Sequence, residues 1–218
     1  MTHTDFSDTE LGKRSLAVSR YTPSLLFAID RSRMRAGLAM AEGALPFEGA
    51  DLWTAWELTW LDRDGKPEVG VVQLRIPCDS RATVESKSLK LYLGSYAQTP
   101  FSSAYDVVRT LESDISVTVG AQVVVDLLSL NQATQAGIAT LTGDSLDTLR
   151  IASAVYHPDP GLLERLETGR LVTETVHTHL FRSLCPVTGQ PDFASVQISY
   201  TGPRIEHDAL LEIGRAHV

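Results

Sequence analysis

From Leu52 to Leu61 apolar side chains recur at alternate positions, with Leu52, Trp56, Leu58 and Trp60 on one face, and this predicts a β-strand. Val72, Leu74 and Ile76 repeat the pattern, and the charged run Asp62-Arg63-Asp64-Gly65-Lys66-Pro67 between them predicts a hairpin turn. Ser102 and Ser103 can cap a helix that places Ala104, Val107, Val108 and Leu111 on one side, after which Ile115, Val117 and Val119 alternate as a strand. The polar stretch from Ser129 to Asp144, with Asn131, Gln132, Gln135 and two glycines, reads as a connector between two modules. Behind it, Pro158-Asp159-Pro160 introduces a short helix with Leu162, Leu163 and Leu166. Val172, Val176, Leu180 and Leu184 then predict one strand face, and Ala194, Val196, Ile198 and Tyr200 the next. The second half thus restarts the hairpin of the first without strong identity between them, and its covering helix and closing strands are expected beyond Val218.

Composition narrows the function classes. With 218 residues, 43% hydrophobic and 21% charged, the chain is that of a soluble globular protein of one or two domains. A net charge of -8 without a basic stripe argues against a general grip on nucleic-acid phosphates and favours a small ligand. Cys78 and Cys185 lack CxxC spacing, so neither a zinc site nor a disulfide framework is expected, and a reducing cytoplasm fits. No stretch of about 18 apolar residues is present, and Met1 to Gly12 is polar, so no membrane anchor or signal peptide is expected. The chain has no GxGxxG, Walker A, HExxH or GxSxG pattern. His177 and His179 share a strand face but lack a third ligand, so no metal is expected. Trp53, Trp56 and Trp60 could form a stacking platform, but Trp56 and Trp60 share a predicted core face and are read as packing.

Two segments carry chemistry. Val84-Glu85-Ser86-Lys87-Ser88-Leu89-Lys90-Leu91-Tyr92-Leu93 gathers a carboxylate, hydroxyls and two ammonium groups. A carboxylate such as Glu85 can accept two N–H bonds from a guanine-like edge, and Lys87 can meet a phosphate; the plainer alternative is a solvated amphipathic segment. In Leu184-Cys185-Pro186-Val187-Thr188-Gly189-Gln190-Pro191-Asp192-Phe193 a cysteine ends one predicted strand and an aspartate opens the next. The turn can return Asp192 to Cys185, pairing a nucleophile with an acid; the alternative is a buried thiol and a turn aspartate.

Together these segments closely resemble the two signatures of the QueF-type NADPH-dependent 7-cyano-7-deazaguanine reductases, and their order resembles the bimodular branch. The resemblance implies an α+β architecture of tandem tunnelling-fold modules, each an antiparallel sheet backed by helices. Here they would occupy residues 1–130 and 145–218, the second incomplete. It implies reduction of the nitrile to 7-aminomethyl-7-deazaguanine with two NADPH, on the route to the tRNA base queuosine. Carried over, Cys185 forms a covalent thioimide, Asp192 handles protons, Val84, Glu85 and Ser86 hold the deazaguanine, and Ser86 and Lys87 touch NADPH. Asp192 must be protonated to donate, which calls for a buried carboxyl.

The resemblance also implies a cytoplasmic enzyme, homodimeric when complete, acting on a small molecule without direct contact to nucleic acid or membrane. Complete relatives add a His-Glu pair and an Arg-Gly element beyond this length, and His207, followed by Asp208, is not a substitute. Residues 212–218 resemble the translated read-through of a sequencing adapter, and the chain as written is expected to be truncated, inactive and poorly stable. Two readings compete: another tunnelling-fold protein acting on a purine- or pterin-like ring, which needs no cysteine segment, and a non-catalytic binding module.

Overall fold

The computed structural model describes residues 18–36, 38, 40, 45–151, 159–185 and 189–215. Met1 to Gly12, Pro158, Pro186-Val187-Thr188 and residues 216–218 therefore lie outside the described residues. The chain divides into two units, Met1–Gly137 and Ile138–Val218. Each is a mixture of helices and sheets whose hairpins are antiparallel.

The first unit runs β1 (Ala28–Asp30), α1 (Arg31–Arg35), β2 (Ala50–Leu61), β3 (Pro67–Pro77), β4 (Ala82–Val84), α2 (Ser86–Gly94), α3 (Ala104–Val119), β5 (Val124–Leu128) and α4 (Leu130–Ala136). Strands β2, β3 and β5 form an antiparallel sheet in the order β2-β3-β5, and β1 pairs separately with β4. The β2–β3 turn falls on the predicted charged run. Asp62 Oδ1 accepts the backbone N–H groups of Asp64 and Lys66, both at 2.9 Å, and Gly65 takes the left-handed φ of 82° that the turn requires. Helix α3 lays Val107, Leu111, Ile115 and Val119 against Leu58, Trp60, Val72, Leu74 and Ile76 of the sheet. Complete burial of each such side chain contributes about 1.5–3 kcal/mol.

Three sequence expectations fail here, each for a physical reason. The strand face containing Leu52, Trp56, Leu58 and Trp60 is broken, because β2 holds one extra residue between Ala55 and Leu58. Such a bulge exchanges the faces of a strand: Leu58 and Trp60 enter the core, but Leu52 is 72% and Trp56 61% exposed, and Trp53 packs inward instead. Ile115, Val117 and Val119 form no strand; Ile115 and Val119 prolong the i, i+4 stripe of α3, which ends at Gly120, while Val117 faces solvent. Ser103 is the cap, its hydroxyl accepting the N–H of Asp106. The connector holds a helix, α4, with a capping box in which Ser129 and Gln132 each accept the other's backbone N–H.

The second unit comprises β6 (Asp144–Ser145), β7 (Leu166–Leu184), β8 (Pro191–Ile205) and α5 (His207–Arg215), with a 3-10 turn at Pro160–Glu164 preceding β7. β6 runs parallel to β7 and β8 antiparallel to it, in the order β6-β7-β8. The 3-10 turn buries Leu162, whereas Leu166 opens β7. A small core unites Leu146, Val176, Leu210 and Leu211. The covering helix expected beyond Val218 is present as α5, whose Ala209, Leu210 and Leu211 are buried. The expected face Val172, Val176, Leu180 and Leu184 is also interrupted: β7 bulges between Thr178 and Phe181, so Leu180 turns outward and Phe181 inward.

Candidate active site

The first signature segment crosses from β4 into α2. Val84 is buried opposite Ala28, and Glu85, 3% exposed, stands at the N-cap of the helix. Its Oε1 accepts the N–H of Lys87 at 2.9 Å and its Oε2 that of Ser88 at 2.7 Å. The main chain fixes it further, since Glu85 N–H donates to Phe27 O at 2.9 Å and Ser88 Oγ donates to Glu85 O at 2.7 Å. Glu85 is thus neither solvated nor loosely held, and the plainer reading of a solvated segment does not describe it. Ser86 is exposed and Lys87 half-buried on the first turn. The two first-turn N–H groups of Lys87 and Ser88 are thus taken by Glu85.

The far end of α2 is tied down by tyrosines. Tyr92 OH donates to Asp114 Oδ2 of α3 at 2.7 Å and shares a 2.6 Å hydrogen bond with Tyr96 OH, and Tyr21 OH donates to the same carboxylate oxygen. Burial, then the Asp114 hydrogen bond and charge, push the Tyr21 phenol up to about 12. Burial likewise raises Tyr92 and Tyr96 above the usual tyrosine range.

The second signature segment is the β7–β8 turn. Cys185 N–H donates to Gln190 O at 2.8 Å and Gly189 N–H to Cys185 O at 2.9 Å, with Gly189 at a left-handed φ of 67°. Asp192 lies opposite Ser183 in the ladder, so Cys185, two residues past Ser183, is its diagonal neighbour. Such diagonal positions lie about 7–8 Å apart and share a sheet face. The structure therefore brings Cys185 and Asp192 together as the sequence anticipated. Cys185 is half-buried, but Asp192 is exposed, which corrects the expectation of a buried acid.

The bulge assigns that shared face. Beyond it, Phe181, Ser183, Ala194 and Asp192 fall on the side of Val176 and Thr178, which α5 covers. Along this side runs an apolar pocket of about 240 Å³ lined by Val176, Phe181, Val196, Ile198, Leu210 and Ile213. His177 and His179 point the other way, and each ring has a partner: His177 Nδ1 meets Thr142 O at 3.1 Å and His179 Nδ1 meets Ser195 Oγ at 2.7 Å. Among the described residues no cluster of three or more metal-ligating side chains is found, and no helix is long and apolar enough to cross a membrane.

Two groupings went unread in the sequence. Asp147, placed in no predicted element, accepts the Thr178 hydroxyl at 2.7 Å and the His179 N–H at 3.2 and 3.3 Å, beside the bulge. Glu174 accepts from Tyr200 OH and His207 Nε2 and lies near Arg204, which also pairs with Glu167. Burial works to raise the Glu174 carboxyl, but the hydrogen bonds from Tyr200 and His207 and the charges of His207 and Arg204 prevail and hold it below the usual carboxylate range. A period-two or period-3.6 pattern carries no signal for either grouping, because the partners come from different elements.

Comparison with known proteins agrees with the family resemblance. The family model described as the N-terminal part of the nitrile reductase 7-cyano-7-deazaguanine reductase matches residues 17–127. A curated NADPH-dependent 7-cyano-7-deazaguanine reductase of Chromohalobacter salexigens is 48% identical over 202 residues, covering 93% of this chain and 72% of its own length. The protein of the same name from Burkholderia lata is 48% identical over 201 residues, covering 92% of this chain and 73% of its own length. The shared stretch takes in both β-hairpins and both signature segments, and on that ground the chain belongs to the 7-cyano-7-deazaguanine reductase family of nitrile reductases.

Proposed function

We propose that this protein reduces the nitrile of 7-cyano-7-deazaguanine to the aminomethyl group with NADPH, serving the formation of queuosine in tRNA. The observation that carries the reading is the near-complete coverage of this chain by reductases at 48% identity, with Cys185 and Asp192 diagonal on one sheet face.

A nitrile carbon is a weak hydride acceptor until a thiolate adds to it. Cys185 Sγ forms a bond to that carbon, one of the C≡N π bonds breaks, and the nitrogen takes a proton from Asp192, giving a thioimide. NADPH supplies the two hydrides that conversion to an amine requires. Val84, Glu85 and Ser86 hold the heterocycle. Each Glu85 oxygen keeps a further lone pair beyond its N-cap bond, so the carboxylate can receive a ring N–H without releasing α2. Lys87 and Ser86, at the more open side of the first turn, fit the phosphate-bearing cofactor.

Tandem tunnelling-fold modules, of residues 1–130 and 145–218, fit the repeated hairpins. A cytoplasmic homodimer is the assembly that accords with the family resemblance. The experiment is intact-mass spectrometry after incubation with 7-cyano-7-deazaguanine, run on a version of the chain extended to the full length of its relatives, since the chain as written is expected to be inactive. Addition proceeds without a leaving group, so the protein should gain the whole mass of the nitrile, and Cys185→Ala should gain none. Ring binding with no mass gain in the native chain would instead favour a purine- or pterin-binding module.

A further inference from the structure

The bulge in β7 decides which face Cys185 occupies. In an uninterrupted strand Cys185 would share the side of His177 and His179, because strand faces alternate with period two. One extra residue between Thr178 and Phe181 moves Cys185 to the side of Val176 and Thr178, where Asp192 lies. A bulge takes main-chain groups out of the ladder, and they need other partners.

Side chains provide them. His179 N–H donates to Asp147 Oδ1 and Oδ2 at 3.2 and 3.3 Å, and Leu180 N–H donates to Thr178 Oγ1 at 3.0 Å. The Thr178 hydroxyl in turn donates to Asp147 Oδ1 at 2.7 Å, closing the two bonds into one network. Thr178 is buried. Asp147 is held by its neighbours: β6 pairs with Val176 and His177, Leu146 N–H donates to His177 O at 2.9 Å, and the Leu146 side chain enters the core.

We propose that Asp147 and Thr178 are positioning residues for the reductase: they pin the β7 bulge and so hold the Cys185 thiol on the face it shares with Asp192. The proposal rests on Cys185 being the nucleophile, and two readouts keep the ideas separable. The first is the rate of Cys185 alkylation by iodoacetamide as a function of pH, with Cys78 in the other unit as internal standard; it requires no nitrile chemistry. Asp147→Ala should change the Cys185 rate several-fold and displace its pH profile while leaving Cys78 unaltered. Asp147→Asn, which keeps an acceptor for His179 N–H, should restore most of the native behaviour. Thr178→Val, which preserves shape without the hydroxyl, asks the same question should Asp147→Ala fail to fold.

A native rate and pH profile for Cys185 in a folded Asp147→Ala or Thr178→Val chain would overturn the proposal. The second readout is addition to 7-cyano-7-deazaguanine, which should slow by about 10²-fold in the same variants, as small misplacements of a reacting group do. Lack of addition in the native chain would count against Cys185 as nucleophile, and alkylation would still decide on the clamp.

Discussion

The β2–β3 hairpin of the first unit and the β7–β8 hairpin of the second are built to one plan and put to different uses. In each, the first strand carries a one-residue bulge, and the same number of residues separates Ala55 from Leu61 as Thr178 from Leu184. In each, a proline opens the return strand, Pro67 or Pro191, and a glycine in the left-handed region sits within the turn. Aligned this way, Cys185 stands where Asp62 stands, and Asp192 where Glu68 does.

The differences are local. Both turns are closed by main-chain bonds, Asp62 N–H to Lys66 O and Gly65 N–H to Asp62 O in the first, Cys185 N–H to Gln190 O and Gly189 N–H to Cys185 O in the second, and the Asp62 carboxylate adds two bonds to its own, shorter turn. The first bulge serves packing: it turns Leu58 and Trp60 into a core of sixteen buried residues. The second turns a thiol and a carboxylate toward a common face, above a core whose described members are Leu146, Val176, Leu210 and Leu211. The shared scaffold thus supplies a stable frame at one site and, on the proposed function, the reacting groups at the other.

The largest effect is expected at two tryptophans of β2, Trp56 within the bulge and Trp60 beyond it. Trp60→Ala should cost about 3–5 kcal/mol, and Trp56→Ala only about 0.5 kcal/mol, measured by denaturant unfolding of the first unit's tryptophan signal. Equal costs would mean that the bulge does not divide the strand as described. Alkali should test the tyrosine network of the first unit next. Tyr21, Tyr92 and Tyr96 have raised folded pKa values, so their contribution is fully present below the unfolded tyrosine value of about 10 and is lost as pH rises through the folded values. Circular dichroism against tyrosinate absorbance should show the first unit unfolding as these groups ionise, and ordinary titration without unfolding would contradict the buried network.

Acid probes the second unit, with a smaller effect. The folded pKa of Glu174 is depressed, so its stabilisation is present above the unfolded value of about 4.3 and is lost as pH falls through the folded one. Glu174→Gln should flatten the acid limb of the second unit's stability curve and leave that of the first unit unchanged. The smallest effect expected is at the α3 cap, where Ser103→Ala should cost about 1 kcal/mol, read as a shift in the first unit's unfolding midpoint.

Much of this was legible in the sequence. The Asp62–Pro67 turn, the Ser103 cap and the placing of Asp192 beside Cys185 followed from residue chemistry, and the two signature segments pointed to the family. The faces of β2 and β7 were not legible, because a bulge is invisible to a period-two count until its partner strand is known. Helix α3 absorbed Val117 and Val119 because tertiary packing of Ile115 and Val119 outweighs the β-preference of three branched residues. The Glu85 cap escaped because glutamate is a rare N-cap; its chemistry was read outward toward a ligand when its nearest donors were Lys87 and Ser88. Asp147 escaped because its partners lie on another element, 31 and 32 residues along the chain.

One bond, from Cys185 Sγ to the nitrile carbon, is central to the proposed reaction, and the most direct measurement is to find where that bond forms. Peptide mapping after incubation with 7-cyano-7-deazaguanine should place the added mass on the peptide carrying Cys185 and leave the Cys78 peptide unmodified. Addition at Cys78, or an adduct that survives in Cys185→Ala, would contradict it.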